Sequence, residues 1–207
     1  MPPPCRYNMN NTNTIYIIMG KSSCGKDTIF RRLGARADLR LKTIVAYTTR
    51  PIRGDEENGR EYFFMDAAGH EEMSLAGNII EERVYATQHG PWHYFTAQDG
   101  QFDFRLNPSP RLMIGTLESY EKLRNHFDGC KVVPIMIELD DGMRLSRALA
   151  REMAQTQPKY EEMCRRFLAD AADFAEAKIA RAGIKHRFDN QDLDKCEAEV
   201  AEFISWT

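Results

Sequence analysis

The segment Gly20-Lys21-Ser22-Ser23-Cys24-Gly25-Lys26-Asp27-Thr28 constrains this chain more than any other. Before it runs Thr14-Ile15-Tyr16-Ile17-Ile18-Met19, β-branched and apolar, which reads as a buried strand. After it comes Ile29-Phe30-Arg31-Arg32-Leu33, which reads as a helix. A strand, a turn with two glycines and a helix start together make a phosphate-binding loop. The glycines let backbone N–H groups wrap a polyphosphate, and the helix N-terminus adds partial positive charge. Lys26 would reach the β- and γ-phosphates. Gly20, Ser22, Ser23, Cys24, Gly25, Lys26, Asp27 and Thr28 are therefore the expected nucleotide contacts. An ordinary glycine turn leaves the Lys and Thr at the helix start unexplained.

One position departs from the usual loop. The residue after the loop lysine is normally Ser or Thr, whose hydroxyl holds Mg²⁺. Here it is Asp27. A bare carboxylate beside a triphosphate is repelled, so either Asp27 binds the metal or it turns away and Thr28 supplies the hydroxyl. Metal binding is preferred, because carboxylate is a good hard-oxygen ligand for Mg²⁺.

With 207 residues the chain is long enough for one α/β domain with small inserted lobes. Its net charge is −3, from 28 basic and 31 acidic residues, which argues against nucleic acid as the main partner. Five cysteines at 5, 24, 130, 164 and 196 form no CxxC pair, as expected for a reducing cytoplasm. No stretch reads as a signal peptide or a membrane span. Residues 1–13 are polar and Asn/Pro-rich, and are expected to be a disordered leader.

Strands are expected at Thr43–Tyr47, Arg111–Ile114, Val132–Leu139 and Ile184–Phe188. Helices are expected from about Glu118 to Phe127, from near Asp141 onward, and from Leu193 to Trp206. The alternation predicts an α/β fold with a parallel sheet flanked by helices. Residues 48–96 break this rhythm with short strands at Tyr62–Met65, Asn78–Tyr85 and His93–Thr96, and read as an inserted lobe. His89 and His93 are four apart, but Gly90-Pro91 intervenes, so no helix face presents them as a metal pair. Cys24 stands near a helix start, where a thiol pKa could fall, or it is simply a small tolerated side chain.

The second informative segment is Thr48-Thr49-Arg50-Pro51-Ile52-Arg53-Gly54-Asp55-Glu56-Glu57-Asn58-Gly59-Arg60-Glu61-Tyr62. Two arginines three apart, then a carboxylate and a tyrosine, could clamp a second phosphate. Here the sequence resembles the guanylate kinases, whose pattern is T-T-R-x-x-R-x-G-E-x-x-G-x-x-Y. Counted from Arg50, the residues Arg53, Glu56, Gly59 and Tyr62 fall at the family's spacing, with Asp55 in place of its glycine. The resemblance covers nearly the whole chain after the leader. It implies a P-loop NTPase fold with an inserted NMP-binding lobe and a helical lid over residues 144–166.

The resemblance also implies an activity: transfer of the ATP γ-phosphoryl to GMP, with Mg²⁺ accompanying ATP. It assigns the GMP phosphate to Arg50, Arg53 and Tyr62, with Glu56 orienting the arginines. In Ile79-Ile80-Glu81-Glu82-Arg83-Val84-Tyr85, Glu81 matches the carboxylate that accepts from guanine. In Trp92-His93-Tyr94-Phe95-Thr96, Tyr94 falls near the phosphate and Thr96 near the base. Arg144, Arg147 and Arg151 share a helix face, and Arg165 and Arg166 follow a polar stretch. Arg147, Arg151 and Arg166 match arginines that neutralise the transferring phosphoryl. Asn190, in Asp189-Asn190-Gln191-Asp192-Leu193, matches a residue beside the donor adenine, although Asn190 or Asp192 could equally cap the next helix.

Two positions depart from the family. Its serine before Thr-Thr-Arg is Ala46 here, and an acidic strand end is replaced around Gly115-Thr116-Leu117-Glu118. Other outcomes therefore stay open: a related kinase acting on another nucleotide or a ribose phosphate, or a non-catalytic module binding a phosphorylated protein.

Overall fold

The structure is a computed structural model that describes residues 13–54, 56–87 and 90–207. The expected leader lies outside the described residues, except Asn13. In chain order the elements are β1 (Thr14–Met19), α1 (Lys26–Ala35), β2 (Lys42–Thr43), β3 (Tyr47–Thr48), β4 (Phe63–Phe64), α2 (Ala67–Leu75), β5 (Ile79–Thr87) and β6 (Gly90–Ala97). There follow β7 (Arg111–Ile114), α3 (Leu117–His126), β8 (Lys131–Glu138), α4 (Asp141–Met153), α5 (Tyr160–Asp173), α6 (Glu176–Arg181), β9 (Arg187–Asp189) and α7 (Leu193–Trp206).

The main sheet has the order β2-β7-β1-β8-β9 and every pairing in it is parallel. Its centre, β1, is buried along its whole length. Side chains alternate across a strand, and β1 serves two cores in this way. Ile15, Ile17 and Met19 join Met113, Leu117, Tyr120, Leu123 and Ile179 on the side of α3 and α6. Tyr16 and Ile18 join Ile29, Leu33, Cys196, Val200 and Ile204 on the side of α1 and α7. This is the expected helix-flanked parallel sheet. Pro134 sits inside β8, opposite Ile17 of β1, but β9 joins β8 only from Met136 onward. Its missing N–H therefore lies where that edge of β8 is not yet paired.

The strand expected over Thr43–Tyr47 is two strands in two sheets. Lys42–Thr43 pairs with β7 in the main sheet, while Tyr47–Thr48 pairs with β4 and β6 in a second, four-stranded sheet of order β4-β3-β6-β5. Ile44 to Ala46 carry the chain across. Ile44 N–H still donates to Leu112 O, the Gln101 side chain accepts from Val45 N–H and donates to Val45 O, and Ala46 O accepts from Phe63 N–H. One apolar run covers both strands because the crossing residues also find hydrogen-bond partners and stay buried or half-buried. α2 was not visible in the sequence. It buries none of its residues, so it carries no apolar stripe, and its signal is the Asp66 cap accepting from Gly69 N–H. Among the described residues no helix is long and apolar enough to cross a membrane.

Candidate functional site

The loop after β1 turns on Gly25, whose φ of 92° is left-handed, and α1 begins at Lys26 with no side-chain cap. A Cβ at Gly25 would lie 2.2 Å from the Asn190 amide nitrogen, so no other residue fits there. The uncapped amides of α1 are a ready anion site. Beside them Ser23 Oγ is buried and has no hydrogen-bond partner among the described residues. The Lys26 ammonium lies 3.8 Å from Asp27, whose side chain is 72% exposed at the mouth of the loop.

Two of the expected loop residues, Ser22 and Cys24, and also Asn190, make hydrogen bonds that build the loop. The amide N–H and hydroxyl of Ser22 donate to Asp170 on α5, at 2.8 and 3.3 Å, and its carbonyl accepts from Arg144 Nε on α4 at 2.9 Å. Ser22 therefore ties the loop to both α4 and α5. Cys24 donates its N–H to Lys21 O, and its carbonyl accepts from Asn190 Nδ2 at 2.7 Å. Burial pushes the Cys24 thiol pKa up, with Lys26 opposing, so the fall that a helix start could have produced does not occur. Asn190 is buried and spends its amide nitrogen on that carbonyl, and its Oδ1 has no hydrogen-bond partner among the described residues. Asp192, not Asn190, caps α7.

The arginines divide by burial. Arg144 is fully buried, pairs with Asp141 and with Asp170 at 2.9 Å, and lies over the Phe167 ring. Arg165 is exposed and forked onto Glu162 at 2.7 Å. Arg147, Arg151 and Arg166 are exposed and form no ion pair among the described residues. Arg147 reaches toward Gly25, and its Nη2 lies 3.4 Å from Asn190 O. Arg151 and Arg166 line one cleft with Ser22, Ser23 and Phe167, which brings them to the loop.

The smaller sheet carries the second half of the site. Arg50 is buried and its guanidinium is gripped by both oxygens of Glu56, at 2.6 and 2.5 Å. Glu56 also accepts from Arg53 N–H at 2.9 Å. The Arg50 bonds hold the Glu56 carboxyl below its usual pKa, against burial. The Arg50 cation lies 5.2 Å from the Tyr62 and Phe64 ring centres, and Tyr62 meets Tyr94 edge-on. Arg53 is exposed. Burial raises the Tyr62 pKa, Tyr94 and Asp27 add to this, and Arg83 and Arg50 oppose it. Asp27 of the loop is thus within electrostatic reach of Tyr62.

Strand alternation sets out the rest. In the β5–β6 pair, Glu81 faces Thr96 and Arg83 faces Tyr94, all on one side of the sheet. Glu81 is 3% exposed, and its Oε1 accepts from Thr96 Oγ1 at 2.8 Å. Its Oε2 is buried without a hydrogen-bond partner among the described residues, with Arg83 Nε 3.4 Å away. Sequence reasoning missed Arg83. Its signal was the period-2 spacing from Glu81, which puts both on one face.

At Gly115 a Cβ would lie 2.7 Å from both Ile17 Cγ2 and Ser119 Oγ, so an acidic side chain has no room there. Thr116 caps α3 in a capping box with Ser119, and Glu118 is tied to Lys122 at 2.7 Å. None of these residues supplies the carboxylate that the family resemblance leads one to look for at this strand end.

A phosphate loop at the end of a central parallel strand, facing a smaller sheet with a buried Arg–Glu clamp, defines a P-loop NTPase fold. The sequence profile of the guanylate kinase family matches residues 12–91. A guanylate kinase from Nitrosomonas europaea is 39% identical over 32% of this chain and 33% of its own length. One from Novosphingobium aromaticivorans is 26% identical over 95% of this chain and 83% of its own. The protein PALS1 of Danio rerio is 29% identical over 91% of this chain, which spans 26% of PALS1. The crystal structure of guanylate kinase from Anaplasma phagocytophilum superposes with a TM-score of 0.62 at 18% identity, covering 93% of this chain and 84% of that one. The chain is similar to guanylate kinases in sequence over these stretches and in fold over most of its length.

Proposed function

We propose that the protein transfers the γ-phosphoryl of Mg-ATP to GMP, giving ADP and GDP. The observation that carries this reading is Glu81: a buried carboxylate with one oxygen held by Thr96 and the other without a hydrogen bond among the described residues, with Arg83 Nε 3.4 Å away. A buried acceptor without a partner costs stability, and a guanine edge, with its N1–H and 2-amino donors, would satisfy it. Adenine has an acceptor at N1 and no 2-amino group, so it leaves Glu81 unmet.

Arg50, Tyr62 and Tyr94 would hold the acceptor phosphate, with Arg53 at the rim and Glu56 fixing Arg50. Lys26, Ser23 and the α1 amides would hold the donor phosphates. Arg147, Arg151 and Arg166 would spread charge over the transferring group. The acceptor phosphate oxygen is itself the nucleophile, so no protein base is required. Asp27 fits the metal: it is a hard-oxygen donor, exposed at the loop mouth beside Lys26. When bound with ATP, Mg²⁺ would supply positive charge that neutralises the phosphates.

The test is phosphoryl transfer from Mg-ATP to GMP, dGMP, AMP, CMP and UMP in parallel, with Lys26→Ala as control. Turnover with GMP that the variant loses supports the reading. ATP binding without turnover on any nucleotide would overturn it and turn attention to other phosphorylated acceptors, such as a ribose phosphate. The similarity to part of PALS1 favours a second reading, a non-catalytic module. That reading predicts no turnover with any acceptor.

A further inference from the structure

We propose that His70, Glu82 and His93 form a transition-metal site, suited to Zn²⁺, on the face of the smaller sheet away from the acceptor pocket. The same alternation that puts Glu81, Arg83, Tyr94 and Thr96 on one face puts Glu82 and His93 on the other. α2 lies on that second face. His70 Nε2 approaches Glu82 Oε1 at 2.6 Å, and His93 Nδ1 approaches the same oxygen at 2.5 Å. The three donor atoms lie within 4.8 Å of one another. They come from three separate elements, α2, β5 and β6.

The chemistry of the set is selective. Two imidazoles and one carboxylate, with no thiolate, make three protein ligands with a fourth position for water, a composition that Zn²⁺ takes. The side chains are 14%, 31% and 22% exposed, enough for an ion to enter and a water to complete the shell. Without an ion, two ring N–H groups converge on one carboxylate oxygen, with the ring centres 4.1 Å apart. A cation in place of those two protons is bound by all three side chains at once.

The fold gives the site work to do. α2 buries no residue, so hydrophobic burial does not hold it to the sheet. His70 is the helix residue that reaches across, its ring edge-on to Phe95 at 5.2 Å. His93 precedes Tyr94. Its backbone carbonyl accepts from Thr48 Oγ1 and Thr49 N–H, and its N–H donates to Thr49 Oγ1, just ahead of Arg50. Coordination would therefore fasten α2 and hold β6, which carries Tyr94, and the segment after β3 that carries Arg50.

The experiment uses the full chain, stripped with chelator and free of nucleotide, so its result does not depend on the phosphotransfer reading. Zn²⁺ alone is titrated by calorimetry, and Co²⁺ is added separately as a chromophore. One Zn²⁺ per chain is expected, with visible Co²⁺ bands of a four-coordinate site and a higher unfolding temperature. His70→Ala, Glu82→Gln and His93→Ala should each weaken Zn²⁺ by at least about tenfold, and His126→Ala should not. Affinity weaker than about 0.1 mM, or binding unchanged in the three variants, would overturn the proposal. Should a variant fail to fold, ¹⁵N-histidine spectra of the wild type decide. The chain has five histidines, and His89→Ala, His126→Ala and His186→Ala assign the other three. Zn²⁺ must move the remaining two signals, and movement of the others, or of none, would overturn it.

Discussion

Replacing Glu81 by glutamine should separate activity from stability. Glutamine keeps the bond to Thr96, because its carbonyl can accept from Thr96 Oγ1 as Glu81 Oε1 does at 2.8 Å. What changes is the other end, where a buried Oε2 that makes no hydrogen bond among the described residues becomes an NH₂ group. An unmet buried acceptor costs about 1–3 kcal/mol; the amide replaces it with an unmet buried donor of similar cost, so the main change in the free protein is the lost attraction of Arg83 at 3.4 Å. The net effect on the free protein should stay within about 1 kcal/mol, or about 2–4 °C in unfolding temperature for a chain of this size. The effect on GMP is one-sided. A hydrogen bond to a charged group is worth about 1.5–3 kcal/mol, and the amide presents a donor to guanine donors. A loss of about 3 kcal/mol is roughly 150-fold in kcat/KM. The assay is ADP release with GMP and with AMP, alongside thermal unfolding. GMP turnover should fall and the AMP rate should not. GMP turnover within about fivefold of wild type, a difference of about 1 kcal/mol, would refute the assignment. So would an unfolding temperature lower by about 8 °C or more, since Glu81 would then be a structural residue.

Asp27→Asn should raise the Mg²⁺ concentration for half-maximal rate by about tenfold, because a neutral oxygen is a poorer ligand than carboxylate; an unchanged Mg²⁺ titration would return the metal to Thr28. Arg151→Ala and Arg166→Ala should each lower kcat by about 10²–10³-fold, whereas Arg165→Ala, already spent on exposed Glu162, should stay within about twofold; steady-state kinetics of the three variants checks this. The pH dependence of Glu56 has a definite sign. Its folded pKa lies below the ordinary 4.5, so its contribution is complete above that value and is lost as pH falls through the depressed pKa. The unfolding-temperature gap between wild type and Glu56→Gln should be flat from neutral pH down to about 5 and close below about 4.5; a gap that closes near neutral pH would contradict the Arg50–Glu56 pairing.

The features that were legible in the sequence are those that local chemistry dictates. The loop reads from Gly20 to Thr28 because a phosphate cradle needs a set residue order, and α7 runs over the residues expected, Leu193–Trp206. Glu81 and Thr96 were legible as a pair through the family resemblance, and they meet in the structure. What was hidden depends on partners far along the chain. Nothing near Ser22 announces Asp170, 148 residues away, which takes its amide. Asn190 looks like a cap and is instead a brace for Cys24, 166 residues earlier. His93 was set aside because Gly90-Pro91 breaks any helix face shared with His89. Its partners are His70 and Glu82, brought to it by a hairpin and a helix that lacks an apolar stripe.

The braces on Ser22 also limit how the arginine-bearing helices can move. Arg144 stands near the start of α4 and Asp170 near the end of α5, and together they hold the carbonyl and amide of one loop residue. The two helices are thus rooted in the phosphate loop at the ends where they enter and leave. Arg151 lies seven residues beyond Arg144, about 10 Å along the axis, and Arg166 lies four residues before Asp170, about 6 Å. A rotation about the root therefore displaces Arg151 and Arg166 while the loop keeps its shape. Arg144 is buried against Phe167 and paired with both aspartates, so it is unsuited to such a motion and suited to being its pivot. The spacing that puts Arg144, Arg147 and Arg151 on one helical face thus serves two tasks: the buried first arginine anchors the helix, and the exposed later ones stay free of ion pairs among the described residues, as the proposed phosphoryl transfer requires.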